Sequence, residues 1–215
     1  MTSAAKPPTL YLVTDRHSLG GSDRIQSLVD FVAEAASAGI DLIQIREKDL
    51  TGRKLFELTD AIVKKVRPLG ARVLVNDRID IAIACDADGV HLASNSIPVE
   101  VAMSLLGKNK LLGISTHSLS DVKEAERGGA DFVVFGPIFE TPSKMKYGPP
   151  VGLDSLSEVA ANTKLPLIAI GGITEENYHN VLTRGANGIA AIKMFSESDS
   201  LSDLVRRLKT TANTQ

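Results

Sequence analysis

The chain has 215 residues, 43% of them hydrophobic and 23% charged, and its 24 basic and 26 acidic residues leave a formal net charge of −2. That balance supports a packed core and excludes gross disorder, while interspersed charge, no Trp and only 4% aromatic residues argue against a nucleic-acid partner. The single cysteine, Cys85, excludes an intrachain disulfide framework and a multi-cysteine metal site.

In chain order, the first nine residues carry one Lys and two Pro without an apolar stretch of secretory type. No later apolar run reaches the ~18 residues of a membrane span. No membrane partner is expected, and the expected compartment is the cytoplasm. One domain is expected over residues 1–215, with flexible ends at about 1–8 and 210–215. Short, mostly apolar, β-rich runs then recur: Thr9–Thr14, Leu42–Arg46, Arg72–Val75, Gly89–Leu92, Leu111–Ser115, Phe132–Phe135, Leu167–Ile170 and Gly188–Ile192. Continuous apolar runs, rather than alternation, predict strands covered on both faces. Helical stripes lie between them: Ile25, Leu28, Val29, Val32 and Ala36; then Leu55, Leu58, Ile62 and Val66; then Val122 and Ala125; then Leu153, Leu156, Val159 and Ala160; finally Leu201, Leu204, Val205 and Leu208. Cys85 sits among small and apolar residues and reads as buried filler.

A phrase repeats before candidate strands two, four, six and eight. It reads Gly39-Ile40-Asp41-Leu42, Ala87-Asp88-Gly89-Val90, Gly129-Ala130-Asp131-Phe132 and Gly185-Ala186-Asn187-Gly188. Gly takes the left-handed position after a helix, and Asp or Asn bonds nearby backbone in the turn. Periodic reuse of one helix-to-strand turn predicts a closed, quasi-symmetric α/β fold, a (β/α)8 barrel. A doubly wound open sheet is the alternative. It would more naturally place a Gly-rich phosphate loop after strand one, where Thr14-Asp15-Arg16-His17 stands instead.

In a barrel, function sits where strands end. Strand two ends in Gln44-Ile45-Arg46-Glu47-Lys48-Asp49, and alternation puts Gln44, Arg46 and Lys48 on one side. Two cations and an amide in one mouth suit a phosphate or diphosphate; an ion pair of Arg46 with Asp77 or Glu47 is the competing reading. Lys144, in a loop with Thr141 and Ser143, adds another cation and hydroxyls at the same rim. Asn76-Asp77 ends strand three and offers oxygen ligands of the type Mg²⁺ prefers, unless Asp77 caps the next helix. Gly171-Gly172 followed by Ile173, Thr174 and a helix is a second phosphate candidate, built from backbone N–H groups. His117 follows strand five and suits a general base. His91, inside strand four, reads as structural.

These strand-end residues resemble the thiamine phosphate synthase/TenI superfamily. The resemblance runs from Leu10-Tyr11-Leu12-Val13-Thr14-Asp15 to Phe195, through Gln44 to Asp49, Val75-Asn76-Asp77-Arg78, Asp88-Gly89-Val90-His91-Leu92, Gly136-Pro137-Ile138-Phe139 and Ile168-Ala169-Ile170-Gly171-Gly172-Ile173. It implies a TIM barrel that joins a hydroxymethylpyrimidine diphosphate to a hydroxyethylthiazole phosphate, releasing diphosphate. By that similarity Gln44, Arg46, Lys48, Asn76, Ser115 and Lys144 hold the pyrimidine diphosphate and Asp77 ligates Mg²⁺. Thr141, Ser143 and backbone around Gly172 would hold the thiazole phosphate. The implied partners are thus small phosphorylated pyrimidine and thiazole substrates; outer-helix surfaces leave a homo-oligomer open.

Two positions depart from the pattern. Where the synthases carry a second Mg²⁺-binding Asp, this chain has Ser96, and a family Ser after strand eight is replaced by Lys193, itself a candidate phosphate ligand. The missing Asp resembles the TenI-type thiazole tautomerases, which need no metal cofactor and use a His like His117. A non-catalytic ligand-binding or regulatory paralogue is the third expectation.

Overall fold

Every apolar run of the sequence becomes a strand with both faces covered. The structure, a computed structural model, describes residues 7–141 and 149–210. The strands are β1 (Thr9–Val13), β2 (Leu42–Ile45), β3 (Arg72–Asn76), β4 (Gly89–Leu92), β5 (Leu111–Thr116), β6 (Phe132–Phe135), β7 (Leu167–Ile170) and β8 (Gly188–Ala191). They form a closed barrel in chain order. Each pairs in parallel with the next, and β8 closes on β1 with Thr9 opposite Gly188. The helices between them are α1 (Arg24–Ala38), α2 (Gly52–Val66), α3 (Ile79–Ala84), α4 (Val99–Leu106), α5 (Leu119–Gly128), α6 (Gly152–Asn162), α7 (Tyr178–Thr183), α8 (Lys193–Ser196) and α9 (Leu201–Thr210). No helix among the described residues is long and apolar enough to cross a membrane.

Strand alternation splits the core in two. Leu10, Leu12, Ile43, Ile45, Val73, Val75, Val90, Leu92, Leu112 and Ile114 face outward, in one cluster with helix residues such as Leu28, Val32, Leu58 and Ile62. Tyr11, Val13, Leu42, Leu74, Phe132, Val134, Ile168 and Ala190 fill the barrel itself. The bore is therefore packed, not a pore. Gly113 belongs to this filling: a Cβ there would stand 2.3 Å from the Phe132 ring, so the small residue makes room for the large one.

The repeated phrase has a single structural meaning. Asp41 donates its backbone N–H to Leu10 O (3.1 Å), and its carboxylate accepts the N–H of the same Leu10 (2.8 Å). Asp88 does the same with Val73 (2.8 and 2.7 Å). Asp131 does so with Leu112 (2.9 and 2.7 Å), and Asn187 with Leu167 (2.7 and 2.7 Å). Each even strand is thus latched to the odd strand before it at its first residues, which satisfies backbone groups at the barrel floor. Two positions before each latch the chain is left-handed: Gly39 (φ 102°), Gly129 (φ 90°) and Gly185 (φ 95°), with Asp86 (φ 52°) in the remaining copy. Asp is one of the few side-chain-bearing residues that visits this region readily.

Pro8 is buried, and Thr210 closes α9. Cys85 is buried as expected, and burial pushes its thiol above the usual range.

Asn187 shows that a neutral amide oxygen is enough for the latch. Asp131→Asn is therefore expected to keep wild-type stability to within about 0.5 kcal/mol, whereas Asp131→Ala leaves the Leu112 N–H without its partner and costs about 1–3 kcal/mol. Urea unfolding checks this; equal losses in both variants would contradict it.

Candidate active site

The mouth at the carboxyl ends of the strands is polar because the inward-facing positions change character there. On β2, Leu42 faces in and so does Gln44, two residues on. On β3 the inward pair is Leu74 and Asn76, on β4 Gly89 and His91, and on β5 Gly113 and Ser115. Adjacent registers bring Asn76 opposite His91 and His91 opposite Gly113.

A hydrogen-bonded chain crosses this layer. Gln44 Nε2 donates to Tyr11 Oη at 3.1 Å, Tyr11 Oη lies 3.3 Å from His91 Nδ1, and His91 Nε2 lies 2.9 Å from Ser115 Oγ. Burial pushes the Tyr11 phenol far above its ordinary range, so it stays neutral. Its oxygen accepts from Gln44, so its one proton is directed to His91 Nδ1. In the neutral ring the other proton then sits on Nε2 and is donated to Ser115 Oγ. Ser115 Oγ then accepts from His91, and its own proton is left for another acceptor. His91, expected to be structural, thus stands between two expected substrate-binding residues. Neither it nor Tyr11 looks different in sequence from ordinary barrel filling; only register reveals the link.

Asp77 follows β3 in a left-handed conformation, φ 56°. Its Oδ1 accepts the Ala93 N–H (2.8 Å) and its Oδ2 the Asn76 amide (2.9 Å). The carboxylate therefore bridges the ends of β3 and β4 and does not cap α3, whose first turn receives no side-chain cap. Nor does it pair with Arg46. Glu47, the other proposed partner of Arg46, is buried and turned away, bound to Thr14 and Arg16. Arg46, the first residue beyond β2, is half-buried, and Lys48 is exposed in the turn that the Leu50 N–H closes on Glu47 O (3.2 Å), where strand alternation no longer applies.

Across the barrel, the segment after β6 lies along β7. Ile138 N–H bonds Ile170 O (2.9 Å) and Phe139 N–H bonds Gly171 O (3.0 Å). Gly171 (φ 98°) and Gly172 (φ 66°) are both left-handed, and a Cβ on Gly172 would stand 2.6 Å from Glu140 O. The sequence placed a helix directly behind this turn. Instead, α7 starts only at Tyr178 and has six residues. Asn177 braces the intervening turn, its amide bonding Gly172 O and its Oδ1 accepting the Thr174 N–H. The turn therefore offers backbone N–H groups and no helix dipole.

His117 is exposed, and its Nδ1 donates to Gly136 O. A carbonyl only accepts, so in the neutral ring Nε2 keeps its lone pair. Lys193 starts α8; its side chain is 77% exposed and its Nζ lies 3.4 Å from Glu197. It is drawn toward the surface along α8 rather than into the Gln44–Ser115 layer. Thr141 is half-buried at the last described residue of its loop; Ser143 and Lys144 lie outside the described residues.

The amide, hydroxyl and carboxylate groups gathered at the carboxyl ends of eight parallel strands lie where enzymes with a (β/α)8 barrel carry their sites. More narrowly, the chain belongs to the thiamine monophosphate synthase family, whose sequence pattern matches residues 10–195. It is 40% identical over 201 residues to the thiamine-phosphate synthase of Syntrophomonas wolfei, covering 94% of each chain. It is 42% identical over 207 residues to that of Chlorobium luteolum, covering 96% of this chain and 94% of the other. Among solved structures it resembles the thiamine phosphate pyrophosphorylase of Pyrococcus furiosus, with TM-score 0.83 and 33% identity over 95% and 96% of the two chains. A 3-hexulose-6-phosphate synthase, TM-score 0.69 at 16% identity, shares the fold alone.

Two stability outcomes follow from this geometry. Tyr11→Phe leaves the buried Gln44 amide without its acceptor and is expected to cost about 1–3 kcal/mol. Gly172→Ala forces a side chain into a left-handed turn against the Glu140 carbonyl and is expected to cost at least about 1 kcal/mol. Both are read by chemical denaturation, and wild-type midpoints would contradict the assigned contacts.

Proposed function

We propose that this chain joins hydroxymethylpyrimidine diphosphate to hydroxyethylthiazole phosphate, giving thiamine phosphate and diphosphate. The observation that carries the reading is the inward polar layer of Gln44, Asn76 and Ser115 beside Arg46 and Asp77, at the rim of a chain that belongs to this family. In the reaction the methylene C–O bond breaks and its electron pair leaves with the diphosphate. The thiazole nitrogen lone pair forms the new C–N bond to the same carbon.

Gln44, Asn76 and Ser115 orient the pyrimidine diphosphate, the Ser115 hydroxyl by its own proton. Arg46, Lys48 and Lys144 bind its oxygens, Arg46 as a fork and the lysines as point charges. These charges oppose the negative charge that builds on the leaving group. Thr141, Ser143 and backbone N–H groups of the Gly171–Gly172 turn hold the thiazole phosphate, and Lys193 lies nearer the rim's edge. Holding both substrates in one mouth converts an encounter in solution into a local displacement.

Asp77 and Asn76 suit Mg²⁺, since both present hard oxygen atoms at a strand end. With Ser96 where a second carboxylate would stand, waters and diphosphate oxygens would complete the shell. When bound there, the ion supplies positive charge to the departing diphosphate. Ser96 and the Nε2 lone pair of His117 favour a second reading, metal-independent aromatisation of a carboxythiazole phosphate with His117 as acid and base.

A paired assay with both substrate sets, with and without chelator, separates the two. The first reading predicts diphosphate release that chelator abolishes. Asp77→Asn keeps a residue that tolerates φ 56° and is expected to lower turnover at least about 100-fold, with His117→Ala costing less than about tenfold. Carboxythiazole isomerisation that ignores chelator and is lost in His117→Ala would establish the second reading and overturn the first.

A further inference from the structure

The loop that carries Arg46 and Lys48 is gripped from behind by the end of β1. Thr14, 1% exposed, accepts the Arg46 N–H on its Oγ1 (3.0 Å) and donates the same hydroxyl to Glu47 Oε1 (2.7 Å). Glu47 is 3% exposed and also accepts from the Arg16 backbone N–H (3.2 Å) and from Arg16 Nη1 (2.9 Å). The Arg16 guanidinium reaches on to Asp49, with Nη1 to Oδ1 at 2.6 Å and Nη2 to Oδ2. One guanidinium thus holds the carboxylates on either side of Lys48, and one hydroxyl holds the backbone of Arg46. β2 ends at Ile45, and the chain beyond it turns, with the Leu50 N–H on Glu47 O (3.2 Å), so that Glu47 and Asp49 both come back to the one guanidinium while Lys48 between them stays exposed.

The charges divide along the same line. Arg16 is spent on Glu47 and Asp49, and its own ionisation is strengthened by them. Asp49 also meets His17 Nε2 at 3.3 Å. Without this grip, two carboxylates beside two cations would collapse onto them and fill the mouth with internal ion pairs.

We infer that Thr14, Arg16, Glu47 and Asp49 are positioning residues that hold Arg46 and Lys48 open toward a diphosphate group. The inference rests on the diphosphate site of the function proposed above. Its consequence is a sign. Glu47 and Asp49 are anions near an anion site, so if they acted only through their charge, neutralising either would tighten diphosphate binding. As positioning residues, their neutralisation weakens it, because Arg46 and Lys48 lose their fixed direction.

The test is calorimetric titration of the full chain with inorganic diphosphate and Mg²⁺, for wild type, Glu47→Gln and Asp49→Asn. Steady-state KM is measured for each substrate alongside. Asp49 is more than half exposed at its side chain, so Asp49→Asn remains folded even where Glu47→Gln does not. The expected result is a dissociation constant raised about tenfold, with KM for the pyrimidine diphosphate rising in parallel and KM for the thiazole phosphate unchanged. A general loss of structure would move both KM values. Wild-type binding with equal or tighter binding in the folded variants overturns the inference and leaves the function standing. Wild type that binds no diphosphate overturns both.

Discussion

A closed parallel barrel gives each strand residue one of two directions, and the inward polar layer of this site follows from that parity. Outward positions must be apolar because helices cover them, and inward positions must be filled because the bore has no solvent. The register that enforces parity is held at the barrel floor by four latches, from Asp41, Asp88, Asp131 and Asn187. A slip of one residue in any strand would exchange its two faces. In β2 it would put Ile45 into the inward layer and Gln44 against the helices.

Parity also explains why the mouth can be polar above a sealed core. Gln44, Asn76, His91 and Ser115 each lie two residues beyond a barrel-filling or glycine position on the same strand. Gln44, His91 and Ser115 are linked in one chain through Tyr11, and Asn76 donates instead to Asp77 Oδ2, so each of the four has a partner within the protein. A network of this kind fixes direction as well as position: with His91 neutral, a Tyr11 proton given to Nδ1 leaves Nε2 to donate to Ser115 Oγ.

The barrel was legible in the sequence because its signals are local. Apolar runs marked the strands to within one or two residues, and the Gly-x-Asp phrase marked the turns that precede the even strands. The copy before β4 hid its left-handed residue as Asp86 (φ 52°). Helices α3, α7 and α8 gave no stripe because six, six and four residues cannot show one. In α4 both faces are apolar, with Ala102 and Leu106 buried but Val101 and Leu105 exposed. At the site, the strand-end positions were legible by alternation, whereas the roles of Tyr11, His91, Thr14 and Arg16 were not. Those depend on contacts between residues 24 to 80 positions apart in sequence, such as Tyr11 with His91 and His91 with Ser115. The helix expected after Thr174 begins only at Tyr178, because the Asn177 side chain, bonding Gly172 O and the Thr174 N–H, holds a turn there first.

The carboxyl rim of the barrel is the proposed place of diphosphate binding. A crystal structure of the protein soaked with Mg²⁺ and inorganic diphosphate tests this directly. It should show diphosphate density bordered by Arg46, Lys48 and Asp77, above the Gln44–Ser115 layer. Diphosphate bound at the floor of the barrel or on its outer helices, with that rim empty, would contradict it.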